Sequence, residues 1–239
     1  MIYIKKKLVI FLIATIPILI IYKITINKTY TYLSIGDDLA KGHTPFNTYN
    51  MSYTDYLYKY LKEQYPKIKL NKDFIEEDIR IKDLIIKITE PDFTKSKNLS
   101  QALKKADIIT LSVGSDELFS KLRSNYTITN MNFFYIDDLL KDTTTLLKEI
   151  RKITNKKIYI IGYYSPINET LETSSYITTL FNYIDTKYID LETKYNVTYI
   201  RIDEEFRNNT LYLPNKTNAF PSLEGYKLIS DKIIKKLES

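Results

Sequence analysis

The 239-residue chain has no cysteine, no tryptophan, one histidine and five glycines. Without cysteine there are no disulfides, so any domain is held by its hydrophobic core alone, and no thiol is available for a lipid anchor. Lys, Ile, Asn and Tyr are abundant instead, which reads as a genome-wide codon bias. The many Asn-x-Ser/Thr matches, Asn98 and Asn125 among them, follow from that bias and carry little information. Hydrophobic residues make up 44% and charged residues 27% of the chain, and no segment is biased enough to be disordered. A chain of this length supports one full-sized core rather than two.

Acidic residues are missing before Asp37, whereas Lys5, Lys6, Lys7, Lys23 and Lys28 all precede it. Without those five lysines the chain has 30 basic and 29 acidic residues, so the net charge of +6 is an N-terminal property. Nucleic-acid binding thereby loses its main support.

Leu8 to Tyr22 are uncharged and mostly apolar, and Ile24 to Ile26 extend the run if Lys23 snorkels to the interface. About 17–20 apolar residues span a bilayer, so the run predicts one transmembrane helix. A cleaved signal peptide shares the basic start and apolar middle, but no small-x-small site follows, which favours an uncleaved signal anchor. Lys5 to Lys7 outweigh the lysines on the other flank, which places the N-terminus in the cytoplasm and the domain outside. The expected organisation is a single-pass membrane anchor over residues 1–28 and one domain over residues 29–239.

Along that domain, apolar runs of strand length alternate with segments of helical periodicity. Leu33 to Gly36, Ile68 to Phe74, Ile108 to Val113, Lys157 to Tyr163 and Val197 to Ile202 read as strands. Helices are expected after a Ser52 cap, over Ile81 to Ile88, Ser100 to Ala106, Ile136 to Ile150 and Tyr176 to Tyr195, with a closing helix through Tyr226 and Leu237. Buried strands separated by helical crossovers predict a parallel sheet covered on both faces, a three-layer α/β/α sandwich. Leu33-Ser34-Ile35-Gly36-Asp37-Asp38-Leu39 then places two carboxylates at the carboxyl end of the first strand, where open α/β sheets bind ligands.

Three stretches carry a resemblance. Gly36-Asp37-Asp38-Leu39 resembles the Gly-Asp-Ser-Leu block of the SGNH (GDSL) hydrolases. Gly114-Ser115-Asp116-Glu117 resembles their Gly-x-Asn-Asp block. Thr217-Asn218-Ala219-Phe220-Pro221, followed by Glu224-Gly225-Tyr226, resembles their Asp-x-x-His-Pro block and the Glu-Gly-Tyr after it. The resemblance implies a flavodoxin-like five-stranded sheet. It also implies ester or acyl hydrolysis by a serine nucleophile, a histidine base oriented by an aspartate, and an oxyanion hole from a glycine amide and an asparagine.

At each of those positions the residue differs. Asp38 stands at the serine position, and a carboxylate has no hydroxyl proton to lose, so the acyl-enzyme route does not transfer. Phe220 stands at the histidine position and Thr217 at the orienting aspartate. Asp116 replaces the asparagine, and a carboxylate repels a developing oxyanion. No glycine lies between Gly42 and Gly114 to serve as the second-block glycine. His43, alone in the first loop, is a further candidate for the cleft. Asp37, Asp38, Asp116 and Glu117 form an acid set suited to a hard cation, although their spacing matches no known loop motif.

These residues predict an SGNH-like domain that has lost its hydrolytic machinery and binds a cell-envelope carbohydrate or an acylated ligand. It needs no cofactor and no metal. Gly36, Asp37, Gly114, Ser115, Glu117 and His43 surround the binding position. The alternative is an esterase or deacylase with a rearranged or cation-assisted site.

Overall fold

The computed structural model describes residues 28–91, 97–125, 133–165, 171–215 and 218–239. Its strands are β1 (Thr31–Gly36), β2 (Lys69–Ile75), β3 (Ile108–Ser112), β4 (Ile158–Ile161) and β5 (Val197–Ile200). They form one sheet in the order β2-β1-β3-β4-β5, every pair parallel. In this doubly wound order the direction of winding reverses between β1 and β3, and a crevice opens beyond their carboxyl ends.

The helices are α1 (Asp38–Lys41), α2 (Tyr53–Gln64), α3 (Ile81–Thr89), α4 (Leu99–Lys105), α5 (Ser115–Asn125), α6 (Phe134–Arg151), α7 (Leu171–Tyr195), α8 (Asp203–Phe206) and α9 (Leu223–Leu237). Alternation along the strands explains the layering, because successive side chains point to opposite faces. Leu33, Ile35, Ile109, Leu111, Ile158 and Ile160 pack with Leu84, Leu103, Leu118, Leu147 and Leu180 from α3 to α7. Tyr32, Tyr159, Ile161 and Ile200 pack with Leu57 and Leu61 of α2 and Tyr226, Ile229 and Ile233 of α9. The second face also holds a buried hydroxyl cluster. Ser34 bonds Thr54 at 2.9 Å, Thr110 bonds Ser34 at 3.2 Å and Tyr32 bonds Thr110 at 2.9 Å. Each of these four hydroxyls finds a partner, which offsets its loss of water.

The expected strands and helices all form, with ends shifted by a few residues. At the start of α2, the Ser52 amide and hydroxyl both donate to Asp55 Oδ2 at 3.0 Å, holding the first turn. Three helices were not apparent in the sequence. α1 and α8 are four residues each, too short for a periodic signal. α5 buries Leu118 and Leu122 along a mostly polar stretch, so its apolar stripe is two residues long.

Among the described residues no helix is long and apolar enough to cross a membrane. The expected anchor run, Leu8 to Ile26, lies outside the described residues.

Candidate functional site

The site begins where β1 meets β3. A Cβ on Gly36 would come within 2.5 Å of the Ser112 carbonyl oxygen, so a side chain here would push the two strands apart. The Asp37 amide donates to that same oxygen at 3.0 Å, and the Ser112 hydroxyl donates to Asp37 Oδ1 at 2.9 Å. Asp37 also caps α1, its Oδ1 accepting from the Leu39 amide at 3.2 Å. Burial pushes the Asp37 carboxyl up to about 7 and the Asp116 charge adds to the rise, while the bonds from Ser112 and Leu39 oppose it.

Asp38 opens α1 and is 8% exposed. Its Oδ2 accepts from the Asp78 amide at 3.2 Å, and its Oδ1 lies 3.5 Å from His43 Nδ1. Asp78 follows β2 and takes a φ of 52°, in the left-handed region that suits glycine. The Asp78 amide thus faces the Asp38 carboxylate from the end of the neighbouring strand. Asp116 sits in the first turn of α5. Oxygens of Asp38, Asp78 and Asp116 all lie within 4.8 Å of one another.

His43 is held over this group by its backbone. Its amide donates to the Asp38 carbonyl at 3.1 Å, and its own carbonyl accepts from the Tyr226 hydroxyl at 2.6 Å. The imidazole stacks on Phe220 with ring centroids 4.1 Å apart, and the Tyr49 ring lies 5.0 Å away. The Phe220 segment is pinned in turn. Asn218 Oδ1 accepts from the Phe220 amide at 3.0 Å, Asn218 Nδ2 donates to Asn47 Oδ1 at 2.8 Å, and the Tyr164 hydroxyl donates to the Ala219 carbonyl at 2.6 Å.

These groups enclose a cleft of about 220 Å³, with Asp37, Asp38, Ser115 and Asp116 on its polar side and Phe119, Tyr164 and Phe220 on its aromatic side. Of the residues singled out in the sequence, Asp37, Asp38, Ser115, Asp116 and Phe220 therefore share one cavity. Gly36 and Gly114 shape the backbone beneath it, and His43 stacks on Phe220. Gly114 has a φ of +96°, and a Cβ there would meet the Tyr163 hydroxyl at 2.7 Å. Glu117 serves a different purpose: its Oε1 accepts from the Ile81 amide at 3.0 Å, capping α3. Thr217 lies outside the described residues.

Sequence reasoning missed Asp78, Phe119 and Tyr164, and gave Asn218 no role beyond its place in the last block. A signal existed for Asp78, because Glu76-Glu77-Asp78 directly follows the second strand, the neighbour of the first in a doubly wound sheet. In chemical terms the cleft is rich in hydrogen-bond acceptors and apolar ring faces. Asp38 brings a carboxylate to it, and Phe220 brings a phenyl ring that takes no proton.

No family model and no curated protein matches the sequence. Solved structures do match the fold. A lipase from a goat rumen metagenome superposes with a TM-score of 0.70 at 20% identity, covering 87% of this chain and 97% of its own. A putative GDSL-like lipase from Parabacteroides merdae gives 0.62 at 15% identity, covering 88% of this chain and 97% of its own. A lipase/acylhydrolase from Enterococcus faecalis gives 0.57 at 13% identity, with 88% and 96% covered. At these identities the likeness is one of fold, and the five-stranded parallel sheet with its flanking helices is that of the GDSL, or SGNH, lipases and esterases.

Proposed function

We propose that the chain is a membrane-anchored, extracytoplasmic domain of SGNH fold that binds, without hydrolysing, a cell-envelope carbohydrate or an acylated ligand. The observation that carries this reading is the pairing of Asp38 and Phe220 in one cleft. An ester hydrolase of this fold needs a hydroxyl to attack and a base to take its proton, and these two positions hold a carboxylate and a phenyl ring.

Binding chemistry remains in their place. Carboxylates accept hydrogen bonds from hydroxyl groups, and the Phe119, Tyr164 and Phe220 rings offer apolar faces to the C–H side of a sugar or to an acyl tip. The cleft volume lies below the about 300–1,000 Å³ common for small-molecule sites, so it suits one unit of a larger ligand. The anchor rests on Lys5 to Lys7 and the apolar run that follows them.

The deciding experiment assays the full chain against short acyl esters and acetylated sugars. No turnover is expected. Hydrolysis that disappears in Asp38→Ala or Asp116→Ala overturns the binding reading. A cation-assisted hydrolase is the competing reading, favoured by the closeness of Asp38, Asp78 and Asp116. It requires Ca²⁺, Mg²⁺ or Mn²⁺ to raise the melting temperature of the full chain, since a ligand bound only by the folded state stabilises it. No shift with any of the three removes it. Anchoring is tested by resistance of the full chain to alkaline extraction from membranes.

A further inference from the structure

Acidic residues cluster at one end of the sheet and exposed lysines at the other, and the chain enters at the lysine end. Acids follow the carboxyl ends of four strands: Asp37 and Asp38 after β1, Glu76 to Asp78 after β2, Asp116 and Glu117 after β3, and Asp203 to Glu205 after β5. At the opposite end, exposed lysines precede three strands: Lys104 and Lys105 before β3, Lys152, Lys156 and Lys157 before β4, and Lys194 before β5. Helix dipoles favour acids at helix starts and bases at helix ends, which accounts for Lys104, Lys105 and Lys194 in their last turns. It does not account for Lys156 and Lys157, which lie outside any helix.

The point of entry adds a second constraint. The uncharged run ends at Tyr22, or at Ile26 if Lys23 snorkels, close in sequence to Lys28, and Lys28 is already tied to the domain. Its Nζ lies 3.0 Å from Asp107 Oδ1, while Asp107 also accepts from the Thr31 amide at 3.1 Å and pairs with Lys156 at 3.2 Å. The described chain is thus tied to the domain from Lys28 onward. Strand β1 then extends for six residues, about 20 Å, to the cleft at its far end.

We infer that the lysine-bearing face at the amino ends of the strands docks on the anionic headgroups of the bilayer that holds the apolar run, leaving the cleft pointing away from the membrane. This rests on the anchoring reading above. Charge complementarity names the partner: a phospholipid surface with negative headgroups attracts clustered lysines next to an anchor, over a range set by the Debye length. A cleft directed away from lipid is then presented to ligands standing off the membrane.

The test reconstitutes the full chain in nanodiscs of phosphatidylcholine alone or of equal parts phosphatidylcholine and phosphatidylglycerol, and maps lysine acylation by mass spectrometry. In the anionic discs Lys104, Lys105, Lys156 and Lys157 are expected to lose reactivity several-fold relative to the neutral discs. They should regain it in about 1 M salt, where the Debye length is about 3 Å. Lys41 and Lys82, beside the cleft end, are expected to react equally in both. Equal reactivity of all six in both discs, with the chain incorporated, overturns the docking inference alone. Failure of the chain to co-elute with either disc overturns the anchoring reading on which it rests.

Discussion

The imidazole of His43 lies on the phenyl ring of Phe220, centroids 4.1 Å apart and planes 28° from parallel. The chain's one histidine is thereby held against an aromatic wall of the cleft, with Nδ1 turned to Asp38. Tyr226 fixes this arrangement through the His43 carbonyl. Tyr226→Phe removes that donor and should cost about 1 kcal/mol in urea unfolding. Amide exchange should also quicken from His43 to Asn50, and unchanged exchange there would mean that the loop is held by other contacts.

Asp37 makes stability depend on pH. Its carboxyl is raised in the folded state from 3.8 to about 7, chiefly by burial. Between those values the folded chain keeps a proton that the unfolded chain has released, so stability falls as pH rises through the window, by at most about 4 kcal/mol. Asp185 acts in the same direction up to about pH 6, through burial and the neighbouring Asp203 charge. The difference between wild type and Asp37→Asn over this range therefore isolates Asp37. Urea titrations should show wild-type stability declining more steeply with pH than that of Asp37→Asn, because asparagine keeps an acceptor for Ser112 and Leu39 without the charge.

Gly36→Ala tests the junction of β1 and β3. The added Cβ would stand 2.5 Å from a backbone oxygen that cannot rotate away. A loss of about 2–3 kcal/mol is expected from such overpacking. A variant within about 0.5 kcal/mol of wild type would show that the strands part there without strain.

Asp78 carries a backbone conformation that side chains disfavour, at φ 52°. Asp78→Gly and Asp78→Ala both remove the carboxylate, so their difference reports the backbone alone. The glycine variant should be the more stable by about 1 kcal/mol. Equal stabilities would place Asp78 in an unstrained conformation in solution.

Fold and site were legible in the sequence to different depths. The strands showed themselves because each is a short apolar run bounded by a turn, and the larger helices because Leu84 and Ile88, or Leu147 and Ile150, recur at helical spacing. Asp38, Asp116 and Phe220 were legible from the order and spacing of the three blocks, and they meet in one cleft. Tyr164 and Phe119 carried no such mark: among 22 tyrosines and 10 phenylalanines, only the third dimension selects the two that line the cleft. Glu117 was placed in the cleft by its neighbour Asp116, but one step along a helix turns a side chain by about 100°, and it reaches Ile81 instead. His43 and Phe220 are 177 positions apart, and their stacking follows from how two loops meet.

The Asp107 junction has a mechanical consequence. A pull on the leading segment enters the domain at Lys28 and Thr31, and when the load opposing it is at the cleft it runs along the axis of β1. That strand lies inside the sheet, laddered to β2 on one side and β3 on the other. Traction along it loads both ladders at once in shear, so many hydrogen bonds share the force and none is peeled singly. A domain fastened in this way is built to stay folded while tugged from its leading end.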